Sequence, residues 1–304
     1  MIPSSGPDPA AALPAGATEF HYTLPHRVGG ARPGAHAGTA LGDGLVFAGH
    51  RRLFDHPDPR RLDLRASLRS PGAQRGEWLV RVHRQRASAV VQALVDVSAS
   101  MAFGSARRKL DLAADLVQAL GASAHRVGDA LGLLAFDQQV RADLFVPARR
   151  GRGLGAVLAD PLRACRCEAG LSGGQGPDLR DAANLWPRAP DLVFLISDFH
   201  WPLPALDAAL DRLAPAPVVP VVVWDAQEVE PPEGDGLLPV HDAETPARRT
   251  LWMRPALRQR WRDAVAARRA ALDRLLTRRG LRAFYLQGRF DGDAMTRHFL
   301  EAGR

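Results

Sequence analysis

Lysine is all but missing from this 304-residue chain. Lysine and arginine together number 40, yet Lys109 is the single lysine. The net charge of +7 is therefore arginine charge, spread along the chain instead of gathered into a phosphate-binding stripe. That distribution makes nucleic acid an unexpected partner. Cysteine is equally scarce. Cys165 and Cys167 stand one residue apart, too close for an ordinary stapling disulfide and too few for a zinc site of about four ligands. No apolar run reaches the roughly 18 residues needed to span a bilayer. The opening "MIPSSGPDPAAALPAGATEF" has neither a charged leader nor a continuous apolar stretch, so a cytoplasmic protein without a membrane span is expected. A glycine-rich phosphate loop ahead of a helix is also lacking. Ser123 in "GASAH" lies within a helical pattern and not in a Gly-x-Ser-x-Gly elbow, which argues against nucleotide hydrolysis and nucleophilic catalysis.

What is present is enough apolar residue, 46%, for at least one full core. Residues 1–40 are rich in Pro, Gly and Ala and read as an irregular lead-in with one short strand at "EFHYTL". Residues 41–87 alternate short β-like runs with Pro, Gly and arginine, and read as a β-rich arm. Ten arginines face four acids between residues 51 and 86. Within "RRLFDHPDPRRLDLRASLR", Arg60, Arg61 and Arg65 are candidate partner-binding residues. The plainer alternative is an arm packed on the main domain through Leu53, Phe54, Leu62 and Leu64. His50 and His56 have no identifiable metal partners.

From residue 88 to 304 apolar strands alternate with amphipathic helices, the pattern of a parallel sheet covered on both faces. "VVQALVDV", "ALGLLAFD", "PDLVFLISDFH", "APVVPVVVWD" and "LRAFYLQG" read as strands, with a shorter one at "QVRADLFVP". The helix between the first two places Leu110, Ala113, Ala114, Val117 and Leu120 on one face. Helical segments follow at 152–165 and 178–187. A long helix carries Leu257, Trp261, Val265, Leu272 and Leu276 at helical spacing and stops near Gly280. The fold class is α/β: a doubly wound, mostly parallel sheet with an N-terminal β-rich arm. A hairpin-like insertion near 225–252 is either a specificity loop or a peripheral hairpin.

In such sheets ligands bind at the carboxyl ends of the strands, where Asp96 and Asp198 both fall. Two carboxylates brought together there resist ionisation unless a cation lies between them. Ser98 and Ser100 add neutral oxygens at alternating positions, and a hard divalent ion, magnesium (Mg2+), suits all four groups. The competing reading is that the serines cap the following helix.

The Asp-x-Ser-x-Ser run of "LVDVSASM" and the later aspartate of "LVFLISDF" resemble the metal-ion-dependent adhesion site of von Willebrand factor A-type domains. Together with "HPDPRRLDLRASLR", "EWLVRV" and "KLDLAADLVQALGASAHRVGDALGLLAF", they are similar in order to the bacterial family called domain of unknown function 58, over roughly residues 45–225. The resemblance implies Asp96, Ser98, Ser100 and Asp198 as magnesium ligands. The family's usual Gly-Gly-Thr is replaced by "LSGGQGPDLRDAANLW", which has no threonine; Ser172 or Asp178 could substitute, and Asp178 could equally cap the helix beginning near Leu179.

The resemblance further implies an adaptor or assembly factor, not an enzyme. It would work with a MoxR-type AAA+ ATPase and present its ion's open position to an acidic residue of a protein partner. Similarity to members found with bacterial methanol-oxidation genes suggests a part in maturing a dehydrogenase. The alternatives are a metal-dependent hydrolase or phosphoryl-transfer enzyme, since clustered carboxylates also suit that chemistry, and a scaffold with a degenerate metal site.

Overall fold

The computed structural model describes residues 19–302 apart from 31, 43, 45, 168–176, 180, 215 and 242–247. Its first unit is a three-stranded antiparallel sheet of β1 (Pro33–Gly42), β2 (Val46–Arg52) and, after the short helix α1 (Leu64–Arg69), β3 (Leu79–Ala87) in the middle. β1 lies ahead of residue 41, where composition put the start of the arm. Its glycines are the reason: a Cβ on Gly34 would come within 2.3 Å of Ser88 Cα, and one on Gly38 within 2.5 Å of the Gln85 carbonyl. Residues that read as loop punctuation are here what lets two backbones pair closely, and pairing overrides propensity. Asp63 starts α1 by accepting the Ala66 N–H at 2.9 Å. Its other oxygen takes Arg81 Nε at 2.7 Å and His50 Nε2 at 3.0 Å, tying the helix to β3 and β2.

The arm does not pack through Phe54 and Leu64. Phe54 is 94% exposed and Leu64 56%, while Leu53 and Leu62 are half-buried.

β3 leads across two residues into β4 (Val90–Asp96), the first strand of the main sheet. The chain continues through α2 (Lys109–Val127), β5 (Ala130–Phe136), β6 (Val140–Arg149), α3 (Leu154–Ala164), α4 (Ala182–Leu185), β7 (Leu192–Ser197), α5 (Leu203–Leu213), β8 (Val218–Val223) and α6 (Ala226–Val229). A hairpin of β9 (Gly236–His241) and β10 (Arg248–Met253) precedes α7 (Pro255–Arg278), β11 (Phe284–Leu286) and α8 (Gly292–Ala302). The six main strands lie in the order β11-β8-β7-β4-β5-β6, parallel throughout except for the antiparallel edge strand β6. This is a mixed α/β fold with a mostly parallel central sheet.

Both faces are covered. Val91, Ala93 and Val95 of β4 join the core made with α2, α3 and α8, and Leu94 joins the core made with α5 and α7. Continuous apolar strands are what burial on both faces demands. α2 and α3 touch backbone to backbone, since a Cβ on Gly121 would sit 2.2 Å from Gly155 Cα. Gly128, at φ 79°, ends α2 in the left-handed conformation.

"EFHYTL" is not a strand. Phe20 and Tyr22 insert into the first core, with the Phe20 N–H donating to Ser123 Oγ at 2.9 Å. Tyr22 donates to Asp129 at 2.5 Å, and His36 Nε2 lies 2.7 Å from the same carboxylate, which also accepts the Ala89 N–H at 2.8 Å. One buried acid thus fastens the N-terminal segment and β1 to the root of β4. Among the described residues no helix is long and apolar enough to cross a membrane.

Candidate functional site

The connection after β4 leads to β5, and the one after β7 leads the other way to β8. The carboxyl ends of these two neighbouring strands therefore form the switch point of the sheet, where such folds open a crevice. Asp96 ends β4 and Asp198 follows the last residue of β7. The structure thus brings the two expected carboxylates together, and both are buried, 0% and 1% exposed.

Each oxygen of Asp96 has a donor: the Ser98 N–H at 2.9 Å on one, the Ser197 hydroxyl at 2.6 Å on the other. Burial and the nearby charge of Asp198 push its carboxyl up to about 7, against the pull of those two serines. Ser98 precedes a single 3-10 turn, Ala99–Ala102, and makes no side-chain cap to it; its hydroxyl lies 3.2 Å from that of Ser100. The serines are therefore a pair at the rim of the site and not a helix cap.

Asp198 is held from several sides. Lys109 Nζ donates to it at 2.7 Å and the His200 N–H at 3.2 Å, while Trp224 Nε1 donates to its backbone carbonyl at 2.8 Å. The next residue, Phe199, has φ 52° and is the one non-glycine residue with positive φ among the described residues. A buried aromatic in that region is strained. It stays there because its N–H donates to Ser197 Oγ at 3.0 Å and its carbonyl accepts from Arg268.

Lys109 was not read from the sequence as part of the site. It opens α2 and is wholly buried, a costly position for an ammonium because the helix N-terminus is already electropositive. Two carboxylates offset this: Asp198, and Glu228 of α6 at 2.6 Å. Burial lowers the Lys109 ammonium's hold on its proton, but these acids outweigh it and raise its pKa above the ordinary value. Burial likewise pushes Asp198 up, but the charges of Lys109 and His200 together with hydrogen bonds from Lys109 and Ser100 outweigh it and hold the carboxyl below its usual range. Glu228 is set in place by a capping box. Asp225 caps Gln227 N–H at 2.9 Å, and Glu228 accepts the Asp225 N–H at 3.0 Å with its second oxygen. His200 lies 3.8 Å from Glu228, its ring stacked parallel on Trp224 at 6.2 Å. Beside them a cavity of about 470 Å³ is lined by Trp224, Glu228, Leu257, Trp261 and Val265.

Asp198, His200 and Glu228 each offer a ligand atom within 4.8 Å of the others, a cluster that could hold a metal ion. The expected magnesium set fits less well. Magnesium demands near-octahedral oxygens at about 2.0–2.1 Å. Here both oxygens of Asp96 and both of Asp198 already accept hydrogen bonds, and Lys109 supplies positive charge inside the same shell. While Lys109 keeps its place, the residues do not fit that ion.

Of the other candidates, Asp178 lies 3.7 Å from Arg212 of α5 and is not part of the Asp198 cluster. Ser172 and most of the "GGQGP" run lie outside the described residues. Arg61 is committed inside the arm, donating to the Gly42 carbonyl at 3.0 Å and lying 3.2 Å from Asp58, whereas Arg60 and Arg65 are exposed. Lys109, Ser197, His200 and Glu228 were missed. The one available signal was that the only lysine of the chain opens the helix following Asp-x-Ser-x-Ser.

A family model for "Protein of unknown function DUF58" matches residues 58–271. The chain belongs to the DUF58 family. This DUF58 protein is 30% identical over 285 residues to the uncharacterized protein Rv1480 of Mycobacterium tuberculosis, covering 92% of this chain and 86% of that one. It is 38% identical over 95 residues to an uncharacterized protein in the moxR 3' region of Paracoccus denitrificans, covering 31% of this chain and 90% of that one. A solved structure of the conserved hypothetical protein BatB from Bacteroides thetaiotaomicron is 14% identical, with a TM-score of 0.37, covering 71% of this chain and 99% of that one.

Proposed function

We propose that this DUF58 protein is a non-catalytic protein-interaction module, an adaptor for a MoxR-type AAA+ ATPase, and that the β-rich arm is the surface on which the ATPase docks. The observation that carries this is the arm's exposed apolar surface. Phe54 is 94% exposed and Leu68 72%, and Leu64, four residues before Leu68 on α1, is also exposed. Large apolar side chains in such number on one small unit mark an interaction surface. Arg60 and Arg65 stand exposed among them, in a segment where ten arginines face four acids. The partner surface is therefore apolar with an acidic rim, which sets orientation and speeds encounter. The name of the Paracoccus relative, placing it beside moxR, supports the choice of ATPase.

A non-catalytic role is favoured by the burial of Asp96, Lys109 and Asp198, which are at most 1% exposed and already engaged with protein partners. The Asp-x-Ser-x-Ser ending β4 and the strand-end Asp198 support assigning the domain to the von Willebrand factor A type. Dehydrogenase maturation would be one outlet of such an adaptor. The test is binding of the purified MoxR-type ATPase from the same organism to immobilised protein, comparing wild type with Leu68→Asp and the Phe54→Ser/Leu64→Ser pair. Binding that both variants weaken at least about tenfold, roughly 1.4 kcal/mol, supports the reading. No binding by the wild type, or equal binding by all three, overturns it.

A further inference from the structure

We infer that the ammonium of Lys109 is the resident cation of the switch-point site, built into the chain in the place a divalent metal would take, so that the folded protein needs no metal ion there. Three observations carry this independently of the adaptor reading. Lys109 Nζ touches two carboxylates from separate elements, Asp198 at 2.7 Å after β7 and Glu228 at 2.6 Å on α6, bridging them as a metal would. Both acids belong to the cluster of metal-capable side chains, so an ion entering there must displace the ammonium from its two partners. The lysine is 0% exposed and lies at a helix N-terminus, where its charge is unfavourable for the helix. The two acids, with the face of the Phe103 ring 6.0 Å from Nζ, offset the cost of its burial.

Each oxygen of Asp96, the third strand-end acid, is already taken by a protein donor, the Ser98 N–H on one and the Ser197 hydroxyl on the other. An ammonium also accepts this geometry more readily than magnesium, because it asks for hydrogen-bond acceptors at about 2.7–2.9 Å and not for an octahedral shell at about 2.0–2.1 Å. The half-buried hydroxyls of Ser98 and Ser100, paired at 3.2 Å, are also hydrogen-bonded to Asp96 and Asp198 respectively.

The decisive experiment uses the full-length wild-type chain. Because Lys109 is the only lysine, protein labelled with [15N]lysine carries a single labelled side-chain nitrogen. The resonance is expected in a slowly exchanging, ion-paired position that does not move when magnesium or manganese chloride or EDTA is added. Thermal melts in the same conditions should agree within about 1 °C. A metal bound with the added concentration a hundred times its Kd would instead raise the melting temperature by several degrees, roughly 5–10 °C for a domain of this size. Such a rise, a shifted lysine resonance on adding metal, or a stoichiometric divalent metal found by elemental analysis of the purified protein would each overturn the inference. Lys109→Met supplies a second arm. It should melt lower than wild type and regain part of the loss on adding magnesium or manganese, whereas a variant that melts like wild type would show that the ammonium carries no such role. If Lys109→Met does not fold, the wild-type resonance and melts still decide the matter.

Discussion

Replacing Lys109 with methionine keeps the length of the side chain and removes its charge, leaving Asp198 wholly buried beside the equally buried Asp96. Glu228 is 23% exposed at its side chain and can turn towards water; Asp198, at 1%, cannot. Breaking a buried ion pair from one side costs about 3–5 kcal/mol because the remaining charge is uncompensated. The loss should therefore fall mainly on Asp198, about 4 kcal/mol in all, or a melting temperature lower by roughly 8–16 °C for a domain of this size. Asp198→Asn alone should cost less, because Lys109 keeps Glu228 as a partner. The double variant removes both buried charges, and its cost should be smaller than the sum of the single costs by about 2–3 kcal/mol. Urea unfolding of all four proteins with a common slope gives that coupling. A coupling below about 0.5 kcal/mol, or a Lys109→Met cost under about 1 kcal/mol, would refute the claim that this pair holds the switch point together.

Asp129→Ala removes one acceptor shared by Tyr22, His36 and the Ala89 N–H, so limited proteolysis should cleave near residue 20 much faster and stability should fall by about 2–4 kcal/mol. Gly121→Leu drives a side chain into Gly155 and should separate α2 from α3 at a cost of about 3 kcal/mol or more, seen in urea melts. Asp96 gives a pH dependence with a definite sign: its folded value, about 7 against an ordinary 3.8, means that the folded state holds this proton more tightly than the unfolded chain. The stability it contributes is full below about pH 4, is lost as the pH rises to about 7 and is level above that. Asp198 works in the opposite sense, since its lowered value gives stability that is lost on acidification. In Asp96→Asn the decline between pH 4 and 7 should vanish from the melting profile, and its persistence would count against this assignment.

The main sheet was legible because its strands are buried on both faces and so read as unbroken apolar runs, and because Asp96 and Asp198 mark strand ends that the parallel order brings side by side. Their partners were not legible. Lys109 lies 89 residues from Asp198 and 119 from Glu228, and nothing local to "ARRKL" shows that its third basic residue turns inward while its neighbours Arg107 and Arg108 pair with Asp115 and Asp111 at the surface. Glu228 read as one acid in a Pro-rich acidic stretch, because a capping box of four residues leaves no periodicity. β1 and "EFHYTL" were misread for related reasons. In β1 glycine serves close backbone approach and not a turn, and Phe20 and Tyr22 fill a core through side chains without forming a ladder.

Hydrogen–deuterium exchange of the protein with and without its MoxR-type ATPase asks most directly whether the arm is a docking surface. Slowed exchange across 52–70 and the adjoining strand around Trp78, with the buried switch-point strands unchanged, is the predicted result. Protection confined to the β9–β10 hairpin or to the cavity beside Trp224 and Trp261, or none at all, would contradict it.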